Sequence, residues 1–447
     1  MKKNTIYTIV LVLFIAAIGF IIFKYNNDEK SQAAAIYSLQ DRKAIAQPEE
    51  WESTRKRADA LLTAVKANPA DTKSLNALAG LFIQEARVTG NYVYYDMAAM
   101  KYINDVLKTD SNNFDALTLK SLIYLSQHHF ADGLAAAQKA QSINPYNAFV
   151  YGILVDGNVE MGNYDSAIAK ADKMVSIRPD IRSYSRISYL REIYGDYAGA
   201  IEAMKLAVQA GIPGDETTEW ARVQLGHLYE NSGDLKNAEM YYTLALNARS
   251  SYAYAVAGMA RIAMAAKDYS KAIVLYGKAD SLVNDYSFKE ELVDAYKLSG
   301  DNDKAMAIAN RVIEGMSKDA QQGQNNDNIG HYADRELAYA YLKVNNYDKA
   351  LEHALAEYNR RPDNIDVNET LAWVYYCKGD FAKALPYAAV ALKTGSKNPT
   401  LLCRTGLIYS KTGDKVQAKK LLQQALMNNA NIAVNLKADG VNTLQTL

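Results

Sequence analysis

The chain has 447 residues, with 50 Lys and Arg against 50 Asp and Glu and a formal net charge of zero at pH 7. That balance offers no basic face to a phosphate backbone, so no nucleic-acid partner is expected. Two cysteines, Cys377 and Cys403, are too few for a disulfide framework. They fall late in one first helix and early in the next, which predicts no bridge between them.

Residues 1–5 form a basic head carrying Lys2 and Lys3. Ile6 to Phe23 is then an uncharged apolar run of 18 residues, about 27 Å long as a helix, which just spans a hydrocarbon core. No small-x-small cleavage site follows closely, unlike a secretory signal peptide. The run predicts an uncleaved transmembrane signal-anchor over 6–23. The Lys/Arg bias predicts the N-terminus inside and the remainder outside the cytoplasm, on the periplasmic side of an inner membrane, as a single-pass protein. Residues 24–48 read as a linker. Apolar residues at Ala58, Leu61, Leu62 and Val65 predict a helix ending near Asn68-Pro69, a capping helix over 49–70.

From there the chain repeats. Val223, Leu225, Leu228 and Tyr229 have helical spacing up to Gly233, and Leu235, Ala238, Tyr242 and Ala245 resume it. Two helices joined by a tight turn cannot bury both apolar faces alone, so more copies are required. Small residues that open second helices recur at Ala99, Gly133, Ala167, Ala200, Ala238, Ala272, Ala305, Ala350, Ala384 and Ala418, with spacings of 34, 34, 33, 38, 34, 33, 45, 34 and 34. Phe130, Tyr164, Tyr197, Tyr269, Tyr347 and Phe381 stand three residues earlier. Hairpins are predicted to start near 72, 114, 148, 181, 219, 253, 286, 331, 365 and 399, giving a solenoid over 49–430 and a tail over 431–447. Extra residues fall around Val88–Tyr94, at Gly211–Gly214 and between Gly315 and Gly330, and read as surface loops.

Leu225, Gly226, Tyr229, Ala238 and Tyr242 resemble the 34-residue tetratricopeptide pattern, with Arg222 where that family carries Trp. The resemblance implies an all-α, right-handed α-solenoid of about ten hairpins behind the transmembrane helix.

Chemical motifs dissolve on inspection. Ser53-Thr54-Arg55-Lys56 and Lys411-Thr412-Gly413 imitate a penicillin-recognising enzyme, but the first lies in the capping helix and the second is an interhelical turn. The five histidines show no metal-ligand spacing, and Asn325 to Gly330 puts Ile329 where a calcium loop needs a ligand. Asp215 and Glu216 would repel a phosphate at the Gly211–Gly214 turn. With no room left for a catalytic domain, no enzyme, cofactor, metal or catalytic residue is predicted.

In the family resembled, first helices line an inner groove. Carrying that register over marks Tyr189, Glu192, Trp220, His227, Tyr254, Arg261, Glu290, Asp294, Lys297, Tyr332, Arg335, Tyr339, Trp373 and Tyr376. The Lys-x3-Asn pair that chaperone-binding relatives use for a terminal carboxylate is missing. Aromatic residues and arginine carry most of the binding energy at protein interfaces. The expected function is thus a membrane-tethered, non-catalytic scaffold holding a peptide or protein partner. The alternatives are a self-assembling homo-oligomeric module or an accessory regulatory subunit of a membrane enzyme complex.

Overall fold

The structure, a computed structural model, describes residues 11–20, 23–24, 37–42, 45, 47–324, 330–427 and 432–447, except the side chains of 322–324. The apolar run is helical at 11–20, while 1–10 and 21–22 lie outside the described residues. No helix among the described residues is long and apolar enough to cross a membrane. This overturns the single-pass localisation, and with it the orientation argued from Lys2 and Lys3.

The described elements are all helical. They run α1 (Pro48–Ala67), α2 (Thr72–Thr89), α3 (Tyr92–Thr109), α4 (Phe114–Ser126), α5 (Phe130–Ile143), α6 (Ala148–Glu160), α7 (Tyr164–Ile177), α8 (Ile181–Ile193), α9 (Tyr197–Gln209), α10 (Glu216–Asn231) and α11 (Leu235–Ala248). There follow α12 (Ala253–Ala265), α13 (Tyr269–Leu282), α14 (Tyr286–Ser299), α15 (Asn302–Gln324), α16 (Asp334–Lys343), α17 (Tyr347–Arg360), α18 (Ile365–Cys377), α19 (Phe381–Ala391), α20 (Pro399–Thr412), α21 (Lys415–Met427) and α22 (Val434–Thr446). Consecutive pairs, α2 with α3 through α20 with α21, pack as hairpins, and each hairpin packs on the next.

Local chemistry sets the boundaries. Asp71, Asn113, Asn147, Asp180, Asn364 and Asn398 precede first helices and accept hydrogen bonds from their opening N–H groups, which those groups cannot satisfy within the helix. Between the helices of one hairpin the chain reverses through a left-handed residue, most often glycine, as at Gly162 and Gly379. The stretch after Gly315 stays helical to Gln324 instead of forming a loop, because Met, Lys, Ala and Gln favour helix. The loop expected at 325–329 lies outside the described residues.

Tyr242 shows how the hairpins interlock. It is fully buried, and a Cβ on Gly226 would stand 2.4 Å from its ring and one on Gly258 2.7 Å. Two glycines on neighbouring first helices therefore shape the slot that one tyrosine fills. Truncation there would cost about 3–5 kcal/mol.

The array then closes on itself. The Tyr332 amide donates to the Gln127 carbonyl at 3.1 Å. Asn364 Nδ2 donates to the Val159 and Glu160 carbonyls at 3.2 and 3.0 Å, the Ile365 amide to Tyr164 Oη at 2.9 Å, and Thr394 Oγ1 to the Ile193 carbonyl at 2.9 Å. These partners are 201 to 205 residues apart, and six repeats of 34 residues make 204. The superhelix thus completes a turn in six hairpins, and the turn of each early hairpin meets the entry to the hairpin six later. Arg361, 5% exposed, joins the same seam by pairing with Glu160 of α6 and Glu357 of α17.

Residues 37–42, expected as linker, are packed against the first hairpin. Tyr94 Oη donates to the Ser38 carbonyl at 2.8 Å, and the Gln40 amide donates to Tyr95 Oη at 2.9 Å. Arg42, 3% exposed, bridges Glu85 and Glu50, and Glu50 in turn pairs with Arg249 at 2.7 Å. A row of alternating charges therefore ties the N-terminal strap and α1 to the hairpin six places on.

Candidate functional site

Because the solenoid turns in six hairpins, its first helices face one another across an interior. Side chains of α2, α4, α6, α8 and α10 line one cavity of about 930 Å³. A second of about 390 Å³ continues along α10, α12 and α14, and the two share Arg87, Tyr92, Glu216, Trp220 and Gln224. The walls mix aromatic rings with paired charges: Arg87 lies over the Trp220 ring at 5.4 Å and pairs with Glu216 at 3.0 Å. Arg186 binds Asp156 through two nitrogens, at 2.9 and 2.6 Å.

The structure places Tyr189, Glu192, Trp220, His227, Tyr254 and Arg261 on these two cavities. Tyr189 is 40% exposed to the interior. Even so, desolvation by the surrounding walls, helped by Asp366 and Glu160, raises its hydroxyl pKa well above the usual value. Those two acids belong to different turns, so the ring sits near the seam. His227 and Arg261 serve the fold as well as the cavity. Arg261 Nε donates to Glu230, its Nη2 reaches His227 Nε2 at 2.9 Å, and Tyr242 Oη donates to Glu230 at 2.5 Å. Burial and then the Arg261 charge hold His227 well below its ordinary pKa, so it is neutral near pH 7.

Further along, the same helix face is cross-linked internally. Lys343 Nζ donates to the Glu290 carbonyl at 3.0 Å and to Asp294 at 2.6 Å, while Lys297 Nζ donates to the Lys343 carbonyl at 2.6 Å. Burial pushes the Glu290 carboxyl up to about 7, against the pull of Lys343. Tyr332 belongs to the seam: it stacks on His129 with centroids 3.9 Å apart and lies under Arg360. Arg335 donates to Thr370 Oγ1 at 3.3 Å, and Tyr339 and Arg404 converge on Glu369 at 2.5 and 2.6 Å. Trp373 stacks on Tyr376 at 4.8 Å, and both pack against the C-terminal hydrophobic cluster around Leu407, Leu422 and Leu436.

Sequence reasoning missed Arg87 and Tyr92. They come from the lengthened first hairpin, and only closure of the superhelix carries them against α10. The extra residues around Val88–Tyr94 were the available signal, since a longer hairpin reaches farther inward.

The fold defines an α-solenoid of tandem helical hairpins wound around a lined interior. Residues 221–252 and 335–399 match tetratricopeptide-repeat families, so the chain carries tetratricopeptide repeats. Repeats of this family are in general non-catalytic protein-interaction modules. No curated protein matches the chain. Similar solved structures include the APC/C hetero-tetramer Cut9-Hcn1, at 16% identity over 85% of this chain and 74% of that one, with a TM-score of 0.41. PilF of Pseudomonas aeruginosa is 16% identical over 45% and 90% of the two chains, with a TM-score of 0.37. PilW, described as a type IV pilus biogenesis factor, is 17% identical over 48% and 96%, also at 0.37. The expected membrane segment and homo-oligomer find no support in these comparisons.

Proposed function

We propose that the chain is a non-catalytic scaffold that takes an extended polypeptide segment into the interior of its superhelix. The observation that carries this reading is the joined pair of cavities walled by the first helices, with Trp220 at their junction. An α-helix with side chains is about 10–12 Å across, whereas an extended strand is thinner and its alternating side chains suit walls that carry Phe149, Tyr189, Trp220 and Tyr254. Two charge pairs on the wall, Arg87 with Glu216 and Arg186 with Asp156, are satisfied internally, so the partner chemistry is apolar and aromatic anchors with polar backbone between them.

The test is selection from a displayed peptide library on the full chain, followed by titration of the enriched peptides. Trp220→Ala is expected to weaken binding by about 2 kcal/mol or more, as loss of a buried aromatic anchor does. Tyr146→Ala, on a ring that is 79% exposed, should leave it unchanged. Binding indifferent to Trp220 and lost with Tyr146 would place the partner on the outer surface and remove the proposal.

A further inference from the structure

The seam between the second and eighth hairpins assembles a donor set that no local motif announces. One ring nitrogen each of His128 and His331 and a carboxylate oxygen of Glu336 lie within 4.8 Å of one another. The two imidazole centroids are 4.3 Å apart, and His128 Nδ1 is 3.9 Å from Glu336 Oε2. That Oε2 is a buried oxygen with no hydrogen-bond partner among the described residues, a costly state for a carboxylate unless a cation meets it. His128 is fixed by its backbone, in the left-handed region at φ 61°, and its Nδ1 lies 3.0 Å from the Tyr332 carbonyl.

We propose that His128, His331 and Glu336 form a divalent transition-metal site, of the zinc class, that staples one superhelical turn to the next. Two imidazoles and one carboxylate without a thiolate suit Zn²⁺, Ni²⁺ or Co²⁺, whereas Ca²⁺ and Mg²⁺ select oxygen donors. Donors around a tetrahedral metal with bonds of about 2.1 Å stand roughly 3.4 Å apart, so side-chain rotations of about 1 Å close the site. Three protein donors leave one position for water. His128 and His331 are 203 residues apart in the chain (331 − 128), so the ion binds only the closed superhelix and stabilises it by mass action. The site stands independently of the peptide-binding reading.

The experiment uses the untagged full chain, stripped with chelator and titrated with Zn²⁺ by calorimetry, with melting followed with and without EDTA. One Zn²⁺ per chain is expected, with a melting temperature raised by Zn²⁺ and returned by EDTA. Glu336→Gln, which preserves shape, and His128→Asn, which tolerates the left-handed backbone, should each weaken Zn²⁺ binding tenfold or more. Both variants should match the EDTA-treated wild type in melting temperature, and His353→Asn should bind Zn²⁺ normally. Absence of stoichiometric binding, or unchanged affinity in Glu336→Gln, would overturn the site even if His128→Asn failed to fold.

Discussion

Two glycines in equivalent turns separate the stability of a hairpin from that of the closed superhelix. Gly162 and Gly379 have φ of +78° and +84°. A Cβ at Gly379 meets nothing within 4 Å, whereas one at Gly162 would stand 2.4 Å from the Asp363 carbonyl carbon and oxygen and 2.8 Å from the Asn364 nitrogen. Alanine in the left-handed region costs about 1–2 kcal/mol at either position. Gly162→Ala must in addition displace the backbone of the next turn, and overpacking of that kind adds about 1–3 kcal/mol. Urea unfolding followed by circular dichroism should show losses of about 1–2 kcal/mol for Gly379→Ala and about 2–5 kcal/mol for Gly162→Ala. Small-angle scattering should show a larger radius of gyration only for Gly162→Ala. Equal losses with unchanged scattering would mean that the two turns do not touch.

Arg361→Ala removes the pairs with Glu357 and Glu160 and leaves Glu357, 2% exposed, with Arg360 alone; losing one buried charge partner should cost about 1–3 kcal/mol, read by urea unfolding. The Glu290 carboxyl, lifted to about 7 from 4.5, holds its proton more tightly folded than unfolded, so its contribution is favourable at low pH and is lost as pH rises from about 4.5 through 7. Glu290→Gln should therefore melt higher than wild type at pH 8 and alike at pH 4.5; a higher melting point at both would point to packing instead. Deleting residues 219–252 preserves helical phase but shifts every partner across the seam, whereas deleting 414–447 removes an equal length and leaves the seam pairs intact. The internal deletion should lose far more helicity on heating, and equal losses would restore a purely nearest-neighbour array.

The period was legible because each hairpin repeats the same local problem. Small residues at Gly226 and Ala238, an aromatic filler at Tyr242 and polar caps such as Asn147 and Asn364 recur wherever two helices must approach and then stop. The seam was not legible, since Gly162 and Gly379 occupy the same turn position and nothing near either says which will meet another backbone. That depends on superhelical pitch, a small rotation per hairpin summed over six. His128 and His331 were read as unrelated for the same reason, and the 18-residue apolar run of 6–23 illustrates the converse error. There a composition that suits a membrane was taken as a span, yet no such helix stands among the described residues.

A repeat array is usually free to grow or shrink by duplicating any unit, because each unit knows only its neighbours. A six-hairpin seam withdraws that freedom. One hairpin copied in the middle would slide Gly162 past Asp363, Tyr164 past Ile365 and Ile193 past Thr394 together. One copied at the C-terminal end would disturb none of them. Lineages of this protein should thus vary in length at the ends and keep the internal spacing, as a closed ring keeps its number of beads while an open string does not.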